Sequence, residues 1–199
     1  MAISAQMVKE LRAKTNVGMM DCKRALEEAD GDMEKAIEVL RKSGIAKAED
    51  RMGRSAKEGA IVSYIHTGSK LGVMLEVNSE TDFVARTNEF TDFCRDVAMH
   101  IAANAPLGVD REALDPEAVE RERTILKEQT LAEGKPEKVL DRIVEGRLEK
   151  YYQDVCLLEQ PFVKDPDKTV NDLLTELRAQ SGENVQIRRF VRFVLGDEG

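Results

Sequence analysis

Histidine and cysteine are scarce in this chain, and their scarcity excludes several kinds of chemistry. The two histidines, His66 and His100, have no cysteine or histidine neighbour at metal-ligand spacing, so both read as structural residues and no metal is expected. The three cysteines, Cys22, Cys94 and Cys156, are odd in number and far apart, which leaves out paired zinc or redox motifs and points to free thiols. No apolar run is long enough to cross a bilayer, so no membrane role is expected. The start, Met1-Ala2-Ile3-Ser4-Ala5-Gln6, lacks the basic and apolar blocks of a secretory signal and the Arg-rich pattern of a transit peptide, and a cytoplasmic location is expected. Positive charge is also short. A formal net charge of −8 opposes broad contact with nucleic acid, because backbone binding is mainly phosphate neutralisation, and a protein partner is the more natural expectation. No Gly-rich loop ends in Gly-Lys-Ser/Thr, so the chain is not expected to bind nucleotide, and no cofactor is expected. No Ser, His and Asp grouping or paired carboxylates stand out, and the chain is not expected to be an enzyme.

What is present describes a globular protein. With 199 residues, 42% apolar and 34% charged, the chain can hold a small domain joined to a larger one. From Ser4 to Gly44 the pattern is three short helices. The first buries Met7, Val8 and Leu11, and the second, after an Asn16-Val17-Gly18 turn, carries Met20, Ala25 and Leu26. The third is capped by Asp32, turns Ala36, Ile37 and Leu40 inward, and closes at Gly44. Ala46 to Glu58 is charged and weakly periodic, as a linker is. The expected division is therefore residues 1–44, a linker over 45–58, and a core domain over 59–199.

In that core, Ala60 to His66 and Leu71 to Val77 alternate with period two around Thr67-Gly68-Ser69-Lys70, a hairpin signal. A helix over about 88–103 follows, capped by Thr87 or Asn88, with Phe90, Phe93, Cys94, Val97, Ala98 and Ile101 on one face. Asp115-Pro116-Glu117 opens a charged, largely exposed helix that stops near Gly134, and Pro136 opens another with a wider inward face. A short helix over 171–179 and a closing strand, Val185 to Val194, complete the pattern. The fold class is α+β, a three-stranded antiparallel sheet covered on one face by helices. The basic and aromatic alternation of Ile187 to Phe193 reads as a strand near an edge with exposed arginines, rather than as a nucleic-acid platform.

Between strand and helix lies Glu76-Val77-Asn78-Ser79-Glu80-Thr81-Asp82-Phe83-Val84-Ala85-Arg86. Two readings of it stay open on physical grounds. In one, Thr81 or Asp82 caps a helical turn and Phe83 tucks into the core. In the other, Phe83 projects from a rigid junction as an anchor for a partner's pocket, with the Asp82 charge beside it.

This segment resembles the most recognisable motif of the bacterial elongation factor Ts family, exchange factors for the GTPase elongation factor Tu. The likeness extends to Leu11-Arg12-Ala13-Lys14-Thr15-Asn16-Val17-Gly18-Met19-Met20-Asp21-Cys22-Lys23-Arg24-Ala25-Leu26, to Glu145-Gly146-Arg147-Leu148, to Leu158-Glu159-Gln160-Pro161-Phe162-Val163 and to Arg188-Arg189-Phe190. The resemblance implies an N-terminal domain of the ubiquitin-associated type, and exchange activity on elongation factor Tu in its GDP form. It also implies that Asp82 and Phe83, flanked by Thr81 and Val84, enter the GTPase beside its magnesium site. Arg12, Met19 and Met20 are further expected contacts, and His66 is one by analogy with a hairpin of longer members. Those members carry a second, related subdomain that is not found here, so the resemblance implies a homodimer, with the terminal strand as its pairing surface. A reading from another class is an adaptor that binds protein or peptide partners through the N-terminal helices without promoting exchange.

Overall fold

The computed structural model describes residues 3–15, 17–51 and 53–197. The expected turn residue Asn16 and the first two residues lie outside that set. The described chain forms two compact units. One comprises Met1–Gly59, Asn78–Phe90 and Leu174–Gln186, and the other Ala60–Val77, Thr91–Leu173 and Ile187–Gly199.

The first unit starts with three helices, α1 (Ala5–Thr15), α2 (Met19–Glu28) and α3 (Met33–Arg51). Their shared core consists of Val8, Leu11, Cys22, Ala25, Leu26, Ala29, Ala36 and Leu40, with Met7 and Val17 partly buried against it. Over α2 and its C-cap residue Ala29 the buried set falls at 22, 25, 26 and 29, one stripe of a 3.6-residue helix, which turns Met20 outward instead of inward. Ile37 is likewise exposed, because Ala36 and Leu40 occupy the inner face of α3. Asp32 caps α3 as expected, its Oδ1 accepting from the amides of Glu34 and Lys35 at 3.0 and 3.1 Å.

The closing role expected of Gly44 does not hold, since α3 continues through it to Arg51. Gly44 serves packing instead. A Cβ placed there would lie 3.1 Å from the Cβ of Ala179, so hydrogen is the substituent that lets the two segments approach.

The second unit is built on a three-stranded antiparallel sheet ordered β1-β2-β5, with β1 at Glu58–Ile65, β2 at Leu71–Ser79 and β5 at Gln186–Val194. The hairpin turn is where the sequence places it. Gly68 and Ser69 have φ of +91° and +54°, and the His66 amide donates to the Leu71 carbonyl at 2.9 Å. Val73, Leu75 and Val77 are buried on one side of β2, and α5 (Asn88–Asn104) buries Phe93, Cys94, Val97, Ala98 and Ile101. Arg192 Nε of β5 donates to the Ala102 carbonyl at 3.3 Å, tying the sheet to that helix.

A helical pair follows, α6 (Pro116–Ala132) and α7 (Glu137–Val155). Asp115 caps α6 through the Glu117 amide at 3.0 Å. Thr130 is the residue that α6 buries, whereas α7 buries Leu140, Val144 and Leu148 at four-residue steps, so the two helices differ as their apolar stripes predict. Arg147 clamps Glu133 across the pair at 2.7 Å. A two-stranded antiparallel hairpin, β3 (Pro161–Phe162) with β4 (Asp165–Thr169), was not foreseen from the sequence. Asp165-Pro166-Asp167-Lys168-Thr169 has no apolar alternation to reveal a strand. The helix α8 (Val170–Ser181) leads into β5.

His100 is completely buried and fully hydrogen-bonded. Its Nδ1 accepts the Val163 amide at 3.2 Å, which places the ring proton on Nε2, 2.8 Å from Gln160 Oε1. Burial pushes its pKa below the ordinary value of 6.5, against a smaller opposing effect of Gln160. The unfolded chain therefore takes up this proton before the folded chain does, and the stabilisation present above about pH 6.5 is lost as pH falls below it. One such group gives a slope of at most about 1.4 kcal/mol per pH unit. The urea midpoint of the wild type should fall between pH 7.5 and 5, and His100→Gln should flatten that fall; equal slopes would rule out His100 as its source.

Candidate functional site

Between β2 and α5 the chain makes a single helical turn, α4 (Asp82–Ala85). Thr81 caps it in an extended conformation, with φ −128° and ψ 157°, its hydroxyl accepting the Val84 amide at 3.5 Å. The exit is equally defined. The Thr87 amide donates to the Val84 carbonyl at 3.0 Å, its hydroxyl donates to the same carbonyl at 2.8 Å, and that hydroxyl accepts the Phe90 amide at 3.3 Å to open α5. Thr87 is thus the α5 cap.

On so short a turn consecutive side chains point in different directions. Val84 is the one that goes inward, and Phe83 is 78% exposed. The reading in which Phe83 tucks into its own core is overturned. Its exposure differs sharply from that of Phe90, which is fully buried seven residues later. Asp82 stands beside Phe83 and pairs with Arg86 at 2.7 Å, both side chains well exposed. Such pairs contribute little net stability because water screens them, so the carboxylate can exchange this partner for another at small cost.

The turn is anchored from a distant part of the chain. The Thr81 hydroxyl donates to Glu183 Oε1 at 2.6 Å and the Thr81 amide donates to Oε2 at 3.0 Å. One residue earlier, Glu80 Oε1 accepts the Asn184 amide at 2.6 Å and lies 3.5 Å from Arg54. The Asn184 side-chain amide donates to the Arg54 carbonyl at 2.7 Å. Sequence reasoning missed these residues. Glu183 is 102 positions from Thr81, and no local period or spacing links them.

Of the other expected contacts, Arg12, Met19 and Met20 are exposed, Met20 at 68%, and belong to the same compact unit as α4. His66 belongs to the other unit, at the exposed end of β1, where its Nδ1 lies 2.9 Å from the Tyr64 hydroxyl. That unit also presents an open sheet face. Ile61 and Ile65 of β1, Met74 of β2 and Val191 and Phe193 of β5 are all exposed, and Arg189 pairs with Glu76 at 2.7 Å on the same side. Ile65 covers Gly72 so closely that a Cβ at position 72 would meet its Cδ1 at 2.9 Å. Among the described residues no group of three or more His, Cys, Asp or Glu is placed to hold a metal ion. No described helix is long and apolar enough to cross a membrane.

The sequence pattern of the family described as Elongation factor TS matches residues 5–197. The chain belongs to the elongation factor Ts family. Among its relatives is an Elongation factor Ts of Carboxydothermus hydrogenoformans, 61% identical over 195 residues that span 98% of this chain and 90% of that one. Another, from Alkaliphilus oremlandii, is 59% identical over 99% of this chain and 91% of its own length. A third, from a Thermoanaerobacter species, is 57% identical over 98% and 96%. The resemblance drawn from the Thr81–Val84 and Leu11–Leu26 segments is therefore upheld along nearly the whole chain, and the role is that of an elongation factor in protein biosynthesis. Within the elongation factor Ts fold seen here, Thr81, Asp82, Phe83 and Val84 divide into a cap, an exposed carboxylate, an exposed ring and an inward anchor.

Proposed function

We propose that this chain binds elongation factor Tu in its GDP form and promotes release of GDP, so that GTP replaces it. The observation that carries the reading is the exposed Phe83 ring, held on a capped and externally anchored turn beside Asp82. A large apolar side chain left in water on a rigid mount has the character of an interface anchor. Entering the GTPase beside its magnesium, the ring and carboxylate displace the groups that order the metal. Mg²⁺ demands nearly ideal octahedral geometry, so this loosens its bridge to the phosphates. No covalent bond of a substrate is made or broken, and the chain acts as a binding catalyst of exchange and not as an enzyme. It uses no cofactor or metal of its own and makes no direct nucleic-acid contact.

Linkage sets the scale. A factor that weakens GDP binding a thousandfold must bind the empty GTPase more tightly by the same ratio, about 4 kcal/mol. Burying one Phe side chain supplies roughly 1.5 to 3 kcal/mol, so further docking surface is required. Exposed Met19 and Met20 with Arg12 suit that role, since methionine side chains adapt to irregular apolar surfaces. The cytoplasm is the compartment in which this cycle runs.

The direct test is release of a fluorescent GDP from elongation factor Tu with and without the chain. Unaltered release would sink the reading.

A homodimer is part of this proposal. The apolar face formed by Ile61, Ile65, Met74, Val191 and Phe193, with β5 at the sheet edge, supports it, because isolated soluble chains rarely leave such a face in water. The surface is self-complementary about a two-fold axis if two sheets meet, and β5 contains no cysteine, so no disulfide is involved. The wild type should sediment at twice the mass of one chain, and the pair Ile61→Asp with Phe193→Asp should sediment as a monomer. A wild type that sediments as a monomer at all concentrations would refute the assembly.

A further inference from the structure

We propose that Glu183, in the connection from α8 to β5, is a positioning residue for the Asp82–Phe83 turn; this rests on the exchange reading above. Thr81 has two donors, its amide and its hydroxyl, and both are taken by the one carboxylate, at 3.0 and 2.6 Å. A hydroxyl has a single proton. With that proton committed to Glu183, the remaining lone pairs of Thr81 Oγ1 face the Val84 amide, so Glu183 sets the rotor that caps α4. Val84 in turn is the inward anchor that leaves Phe83 outside.

The anchor is itself fixed. Gly182 takes φ +74° and its amide donates to the Arg178 carbonyl at 3.1 Å, ending α8 in a left-handed residue that a side chain would strain. The Glu183 amide donates to Ser181 Oγ at 3.3 Å, and buried Arg178 Nε donates to the Val185 carbonyl at 2.7 Å. The adjoining bond from the Asn184 amide to Glu80 Oε1, at 2.6 Å, doubles the tie between the same two segments. A carboxylate at position 183 accepts from both Thr81 groups and so holds the hydroxyl proton toward itself. An amide would accept the Thr81 N–H but donate its NH₂ to Oγ1, which turns the hydroxyl proton away and resets the rotor.

Glu183→Gln keeps the shape and removes one acceptor, so the turn should spend less time in the docking geometry. The apparent affinity for a partner falls in proportion to that fraction. In fluorescent-GDP release measured against concentration of the full chain, the half-saturating concentration should rise about tenfold, with the plateau rate within about twofold of wild type. Phe83→Ala, by contrast, should lower the plateau. Hydrogen exchange should speed at the Thr81 and Val84 amides, with the Leu26 and Val97 amides as protected as in the wild type. An unchanged concentration dependence in Glu183→Gln beside a slowed Phe83→Ala overturns the positioning role alone. Loss of protection at Leu26 and Val97 in step with Val84 also overturns it, by showing a general loss of stability. Wild-type behaviour of Phe83→Ala at every concentration removes the ring from the mechanism, and the positioning role falls with it; release left unaltered by the wild-type chain overturns the exchange reading itself.

Discussion

Phe83→Ala is expected to slow the stimulated release of GDP by about tenfold to a hundredfold while leaving the fold intact. The range follows from the roughly 1.5 to 3 kcal/mol that burial of a Phe side chain provides, taken as a loss that is realised only when the ring enters the partner. Because Phe83 is 78% exposed in the free chain, its removal takes almost no internal contact away, and the unfolding free energy should shift by no more than about 0.5 kcal/mol. The combination is diagnostic. A destabilised variant would lose exchange activity with its folded fraction, whereas this one should lose activity at an unchanged urea midpoint. Stimulated release at the wild-type rate would remove Phe83 from the mechanism.

Phe90→Ala should give the opposite pair of results. Its ring is fully buried at the start of α5, and its amide completes the cap made by Thr87. Deleting a buried Phe side chain costs about 3–5 kcal/mol, from lost transfer free energy and the cavity left behind. Against a typical total of about 5–15 kcal/mol this is a large part of the stability, and the urea midpoint should drop accordingly. At a temperature where Phe90→Ala remains folded, its exchange activity per folded molecule should stay near wild type. A midpoint within error of wild type would show that the Phe90 site repacks without a cavity.

The two phenylalanines show where sequence reasoning reaches and where it stops. Phe90 shares helical spacing with Phe93, Val97 and Ile101, and four positions on one stripe leave a single consistent assignment, the core. Phe83 has no such company. It lies on a turn of four residues, too short for a period to emerge, and either Phe83 or Val84 satisfies the need for one inward anchor. The same limit accounts for Gly44. A glycine after an apolar stripe is the usual mark of a helix end, but here it lets α3 approach Ala179, a residue 135 positions later in the chain. Met20 and Ile37 were expected inside for want of a narrower stripe. Cys22 takes the inner place on α2, and on α3 the expected Ala36 and Leu40 fill the inner face without Ile37.

Local rules were reliable wherever a few adjacent residues decide the outcome. Asp32, Thr87 and Asp115 cap the helices they precede, and Gly68 turns the hairpin, because capping and turn chemistry involve partners within three or four positions. The α+β class and most of the element order follow from such patterns taken in series, though not the β3–β4 hairpin, and the family rests on the likeness of the Thr81–Val84 and Leu11–Leu26 segments and on the match over residues 5–197. Non-local geometry does not. That β2 is the central strand, that Glu183 reaches Thr81 and that Phe83 faces water depend on which segments pack together. Packing is set by the summed burial of the whole chain, and a single position reveals nothing of it until its distant neighbours are in place.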